Sequence, residues 1–199
     1  MRRATAATVQ VESQGCGGLL FGSGFPVEPH LVVTNAHVVA GTGDHRVIVP
    51  GGGRARATVV WFDPRRDIAL LSVPGVTLDP LELDGPVRAG TTGAVIGYPG
   101  GGSEKVIGAR VVARTTAVGR DIYSSSLVRR EIYVLRAQVR KGDSGGPVVG
   151  RSGRLIGVVF AASTVDPNEG YALTNAELRT VLGQAGSNRA EVPTGDCAA

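Results

Sequence analysis

Glycine sets the first limit on this chain. Thirty of its 199 residues are glycine, and they divide a valine-rich sequence into short apolar runs. Valine's branched Cβ suits a pleated surface, whereas glycine inside a helix costs about 1 kcal/mol relative to alanine. Short β-branched runs closed by glycine and proline therefore predict many short strands.

Read in order, the strands fall at 8–11, 19–21, 30–34, 46–49, 55–62 and 68–73. Gly22-Ser23-Gly24-Phe25 marks a bend or bulge within a hairpin. Together these form a first β-barrel over 8–85. The polar stretch 84–90 is the crossing between halves, and a second barrel over 91–173 takes strands at 94–98, 105–113, 132–138, 147–149 and 155–161. Ser152-Gly153 signals a tight hairpin, and 119–130 reads as a long exposed hairpin loop. Thr174 and Glu177 have the spacing of a capping box, ahead of Leu178, Val181 and Leu182 at helical spacing. They predict one helix over 174–186. The class is all-β with a helical latch, and 1–199 is one domain.

Composition excludes several functions. Nineteen arginines and two lysines against seventeen acids give a net charge of +4, but no basic stripe is interleaved with aromatics, so nucleic-acid binding is not expected. No apolar run reaches the roughly 18 residues of a transmembrane helix. No H-E-x-x-H and no cysteine–histidine cluster is present, so no metal or other cofactor is expected. Gly97 to Lys105 only superficially resembles a phosphate loop, since Gly-Lys-Ser/Thr never occurs. Cys16 and Cys197, near opposite ends, fit a disulfide tying the termini, hence an oxidising compartment. Met1-Arg2-Arg3 begins like a signal peptide but lacks the apolar segment, so the chain reads as part of a longer exported precursor.

Lys141-Gly142-Asp143-Ser144-Gly145-Gly146-Pro147 is the densest chemical signal. Glycines around a serine let the backbone turn sharply and direct N–H groups into one small volume, which suits a nucleophile beside an oxyanion hole. Gly142 and Ser144 are the candidate donors. Of three histidines, His37 follows an apolar strand and precedes Val38-Val39, whereas His30 and His45 read as loop or surface residues. Asp67 immediately precedes the apolar run from Ile68 to Leu71, and a carboxylate there needs a partner such as the imidazole N–H of His37. Asp63, before Pro64, is the rival and looks like a turn former. His37, Asp67 and Ser144 in this order match the chymotrypsin arrangement of the serine-hydrolase triad, not the subtilisin one.

These blocks resemble chymotrypsin-fold serine proteases: Thr34-Asn35-Ala36-His37-Val38-Val39, Asp67-Ile68-Ala69-Leu70-Leu71 and Gly142 to Pro147. With Gly22-Ser23-Gly24-Phe25 they are most similar to the high-temperature-requirement branch. The arginine-rich composition and two terminal cysteines are similar to membrane-anchored periplasmic proteases of mycobacteria linked to stress and acid resistance. The resemblance implies two six-stranded antiparallel β-barrels with the triad at their seam. It implies cleavage of protein or peptide substrates in the cell envelope, no cofactor, and membrane attachment only through an upstream anchor. Asp143 stands where that branch usually has Asn, and no PDZ domain follows, which argues for a monomer. With no Ile-Val-Gly-Gly start to pair with Asp143, a nearby cation such as Arg140 is the expected partner.

By the same analogy Gln138 is the floor of the specificity pocket. Phe160, Ala161, Ala162 and Ser163 form its wall strand, with Glu169 and Gly170 opposite. A neutral Gln138 favours an uncharged residue before the cut, and extended substrates would pair with the 160–162 edge. A catalytically silent binding module and an esterase on the same fold stay open.

Overall fold

The computed structural model describes all residues, 1–199. Strands β1 (Val9–Gly15), β2 (Gly18–Glu28), β3 (Leu31–Thr34), β4 (Thr42–Ile48), β5 (Arg54–Asp63) and β6 (Ile68–Ser72) close into one barrel in the order β1-β2-β3-β6-β5-β4. Strands β7 (Thr92–Gly97), β8 (Lys105–Arg120), β9 (Leu127–Arg136), β10 (Pro147–Gly150), β11 (Leu155–Ala162) and β12 (Glu169–Thr174) close the second, ordered β10-β11-β12-β9-β8-β7. Every pairing is antiparallel, and closure leaves neither sheet with an unpaired outer strand.

The alternation of strand side chains fills each barrel from within. Val9, Val11, Val32, Val47, Val59 and Leu71 pack inside the first. Val95, Val111, Tyr133, Leu135, Val148 and Ile156 pack inside the second. A third apolar cluster joins them across the seam through Phe25, Leu70, Ile96, Val149 and Leu155. The two halves are therefore fused by core, and a site at their junction rests on a rigid floor.

Three helices decorate this frame: α1 (Arg2–Ala7), α2 (Ala36–Val39) and α3 (Asn175–Ala185). The sequence reading has no helix at α1. Ala4 and Ala7 are fully buried there in the seam cluster, small enough for close approach but carrying no periodic signal over six residues. The capping box at α3 does not form. Thr174 Oγ1 donates to Glu131 Oε1 at 2.8 Å, and Glu177 Oε1 accepts from the Glu131 N–H at 2.8 Å. Both side chains fasten the helix to β9 instead of capping it.

Two further expectations change. The loop read at 119–130 shrinks to six residues, because β8 and β9 stay paired out to Arg120 opposite Leu127. His45 is neither loop nor surface: it sits on β4, 6 % exposed, its Nδ1 3.2 Å from Ser13 Oγ. Burial lowers its pKa, against the charges of Asp44 and Glu191.

Cys16 and Cys197 are bonded, with Cα atoms 5.8 Å apart. The bond ties the C-terminal tail to the β1–β2 turn. Along its way the tail also pairs with the first barrel, through Val192 N–H to Val59 O at 2.9 Å and Gly41 N–H to Thr194 O at 3.3 Å. Helix α3 leaves the second barrel and the tail returns to the first, so the disulfide closes a strap across both.

Candidate active site

His37 lies on the single turn α2 directly after β3, and Asp67 lies in the turn that enters β6. β3 and β6 are paired neighbours, Thr34 opposite Ala69, so their adjoining ends bring the two residues together. Asp63 shapes the approach: its Oδ1 accepts the N–H groups of Arg65 and Arg66 at 3.0 and 2.9 Å. It is the turn former. Asp67 then takes a left-handed backbone, φ 60°, which Asp tolerates better than most residues. Asn35 Nδ2 holds its carbonyl at 2.7 Å.

Both carboxylate oxygens of Asp67 face His37. Oδ1 accepts the His37 backbone N–H at 2.9 Å, and Oδ2 accepts Nδ1–H at 2.8 Å. This contact fixes the ring and its tautomer, leaving the Nε2 lone pair free to take a proton. Asp67 is buried, while the His37 side chain keeps 31 % of its surface, so one edge of the ring is open. Burial disfavours the imidazolium, but the charge and hydrogen bond of Asp67 outweigh it and raise the His37 pKa; the charge of Arg130 opposes.

The serine loop comes from the second barrel, ahead of β10. Arg140 O accepts Asp143 N–H at 3.0 Å, and Asp143 O accepts Gly146 N–H at 2.9 Å. Gly145 N–H reaches Val159 O at 2.8 Å. The N–H groups of Gly142 and Ser144, on either side of Asp143, make no hydrogen bond within the protein. Lys141 O is held by Gly100 N–H at 2.7 Å. In a trans peptide that turns the Gly142 N–H the opposite way, off the turn. Gly142 itself has φ 98°, and a Cβ there would collide with Tyr98 O and Gly100 N. Only glycine fits.

Asp143 is fully buried, and its partner is not the Arg140 guanidinium, which is exposed. Oδ2 accepts the Arg140 backbone N–H at 2.9 Å, and Oδ1 has no partner. Burial raises the Asp143 pKa, opposed by that N–H and by the charge of Arg140.

One residue that sequence reading left without a role organises this loop. Ser23, on β2, is fully buried. Its Oγ donates to Gly142 O at 2.6 Å and accepts Tyr98 N–H at 2.9 Å. Its N–H donates to Ser144 O at 2.7 Å, and its O accepts from Thr34 Oγ1 at 2.8 Å. Ser23 thus ties the serine loop to β3, three residues before His37. A Cβ on Gly145 would strike Ser23 O and Thr34 Oγ1, so the two barrels meet backbone to backbone here. His37 Nε2 and Ser144 Oγ share no hydrogen bond in the structure. Such contacts commonly tighten only in the substrate complex.

Phe160, Ala161 and Ala162 end β11. β10 pairs with β11 only as far as Pro147 opposite Val158, so the stretch 160–162 has a free edge. Ser163 follows, its Oγ accepting the Val165 N–H at 3.3 Å. Glu169 is tied to the Tyr171 hydroxyl at 2.5 Å, and Gly170 lies against Val139. Gln138 is exposed, hydrogen-bonded to Asn168 Oδ1 at 3.0 Å. It borders a cavity of about 230 Å³ with Pro99, Lys105, Val106, Ile107 and Arg140.

Residues 22–158 match the trypsin-like peptidase domain. The chain is 40% identical over 184 residues to the serine protease Rv3671c of Mycobacterium tuberculosis, covering 92% of this chain and 46% of that protein. A probable periplasmic serine endoprotease, DegP-like, of Brucella suis is 30% identical over 171 residues, 82% of this chain and 32% of the relative. The chain thus spans half or less of these curated relatives. Its fold superposes on the crystal structure of the active form of the Rv3671c protease with a TM-score of 0.96, at 38% identity over 100% of this chain and 88% of that one. Against the inactive form the TM-score is 0.84, at 37% identity over 94% and 92% of the two chains. On the joint weight of the two barrels, the His37–Asp67 pair, the glycine-held serine loop and these matches, the chain belongs to the trypsin-like peptidase domain family of serine proteases.

Proposed function

We propose that this chain is the catalytic domain of a serine endopeptidase that works through an acyl-enzyme. Ser144 Oγ attacks the scissile carbonyl while His37 Nε2 takes its proton. Asp67 holds the ring and stabilises the imidazolium. The tetrahedral oxyanion is received by the N–H groups of Gly142 and Ser144. His37 then returns the proton to the leaving amine, and water repeats the cycle on the ester. The observation that carries this reading is the pair of unbonded N–H groups flanking Asp143, in a loop where the N–H groups of Arg140, Asp143, Gly145 and Gly146 are engaged. Donors left free and fixed in advance are what a developing oxyanion requires.

The substrate is an extended polypeptide lying along the 160–162 edge, with an uncharged residue before the cut. The disulfide supports an oxidising site of action, and the DegP-like relative is described as periplasmic. The domain acts in the cell envelope as a monomer, carried on a membrane-anchored precursor with a part in stress or acid resistance. A serine-directed fluorophosphonate tests the chemistry. It labels the wild type, and labelling and peptide turnover disappear together in Ser144→Ala. Turnover that survives this substitution refutes the assignment.

A further inference from the structure

Arg130 is a buried cation without an anion. It is 9 % exposed, on β9, and enters no salt bridge. Its Nε donates to Arg65 O at 2.7 Å, two residues before Asp67. Its guanidinium lies over the Phe160 ring, 5.9 Å from the centroid. Nη2 is buried with no hydrogen-bond partner. A guanidinium presents five N–H donors, and leaving a charged donor unmatched away from water is unfavourable. A cation that stays in this position without an internal anion is a candidate for an external one.

Its location decides which. Arg65 belongs to the turn that delivers Asp67, Phe160 belongs to the strand edge open to substrate, and the Arg130 charge is felt at His37. The cation therefore stands between the imidazole and the wall of the groove. An extended substrate alternates its side chains. If the residue before the cut turns into the pocket, the second and fourth residues before it turn the other way.

We propose that Arg130 forms a cationic subsite that selects a carboxylate, Glu or Asp, at the second or fourth residue before the scissile bond. The site rests on the protease reading above. A planar guanidinium matches a carboxylate in a way that lysine does not, and the Phe160 ring lies beneath it. No covalent step is involved. The carboxylate completes the hydrogen bonding of a charge already desolvated, so discrimination against the neutral isostere is about ten- to a hundredfold.

Matched internally quenched peptides that differ only in Glu against Gln test it, with the exchange placed at the second, third or fourth residue before one cleavage site. The wild type gives a Glu/Gln ratio of kcat/KM of at least about tenfold at the second or fourth position, and near one at the third. In R130Q and R130M that ratio falls to near one, R130K keeps part of it, and added salt weakens it in the wild type. Because each ratio is taken within one enzyme, any shift in His37 basicity cancels. A wild-type ratio near one at both positions overturns the subsite even if no Arg130 variant folds, and so does a preference that survives R130Q. Cleavage of the Gln peptides without preference leaves the protease reading intact; failure of both peptides together with failure of phosphonate labelling removes both.

Discussion

Replacing Ser23 by alanine separates support of the oxyanion loop from the chemistry it supports. Ser23 touches no substrate, yet its hydroxyl satisfies two buried groups at once, Gly142 O and Tyr98 N–H. Removing it strands one acceptor and one donor, each worth about 1–3 kcal/mol when unpaired. The carbonyl loses less than the N–H because the loop can relax, so the expected loss of stability is about 2–4 kcal/mol. The consequence for turnover follows from the peptide geometry. Gly142 O belongs to the peptide unit between the two proposed oxyanion donors, and its release lets both drift. Loss of one whole donor costs about 10²–10³ in kcat, so misalignment is expected to cost about 10- to 100-fold. The loss falls on kcat with KM little changed, since the donors act on an oxyanion that exists only in the transition state. Urea denaturation and steady-state hydrolysis of a fluorogenic peptide measure the two effects on one preparation. A variant destabilised as expected but within twofold of wild-type kcat refutes the link from Ser23 to the oxyanion donors. Unchanged stability refutes the hydrogen bonds themselves.

Asp67→Asn keeps the shape of the residue but offers an amide where Nδ1–H donates, favouring the wrong tautomer. Its kcat is expected to fall by about 10⁴, read with the same peptide. Turnover requires neutral His37, so activity rises with pH through a pKa above 6.5 and is lost on acidification; a rate flat into strongly acid pH contradicts the assignment. The stability held in the His37–Asp67 contact runs in the opposite sense. Because the folded pKa is raised, it is fully present below about 6.5 and lost as pH rises through the folded value. Reducing Cys16–Cys197, or replacing both by serine, reopens a loop of separation 181, for which chain entropy gives an upper-end loss of about 5 kcal/mol. The urea midpoint is expected to drop accordingly, and an unchanged midpoint shows that the tail's hydrogen bonds hold the strap alone.

Much of this protein is written in local sequence. The valine-rich runs and their glycine breaks mark most strands, since side-chain alternation and turn chemistry act over a few residues. Gly142 stands out because it sits two places before the serine in a Gly-rich run, and Asp63 reads as a turn former because the N–H groups it accepts are two and three positions away. The long reach of β8 and β9 was hidden, because their alternation is carried partly by Arg and Thr and registers only once the partner strand lies alongside.

What only the tertiary structure decided is where side chains with several options spend them. Thr174 and Glu177 have capping chemistry, but β9 lies closer than their own helix end offers, and Glu131 takes both. Ser23 meets Gly142 across 119 positions, and Arg130 reaches Arg65 across 65. Gln138 turns to Asn168, beside Glu169. A hydroxyl, an amide or a guanidinium carries no periodicity, so its partner is fixed by which strands closure makes neighbours. The sequence determined the proposed reacting groups and the strands beneath them; the meeting of two barrels chose the residues that hold those groups in place.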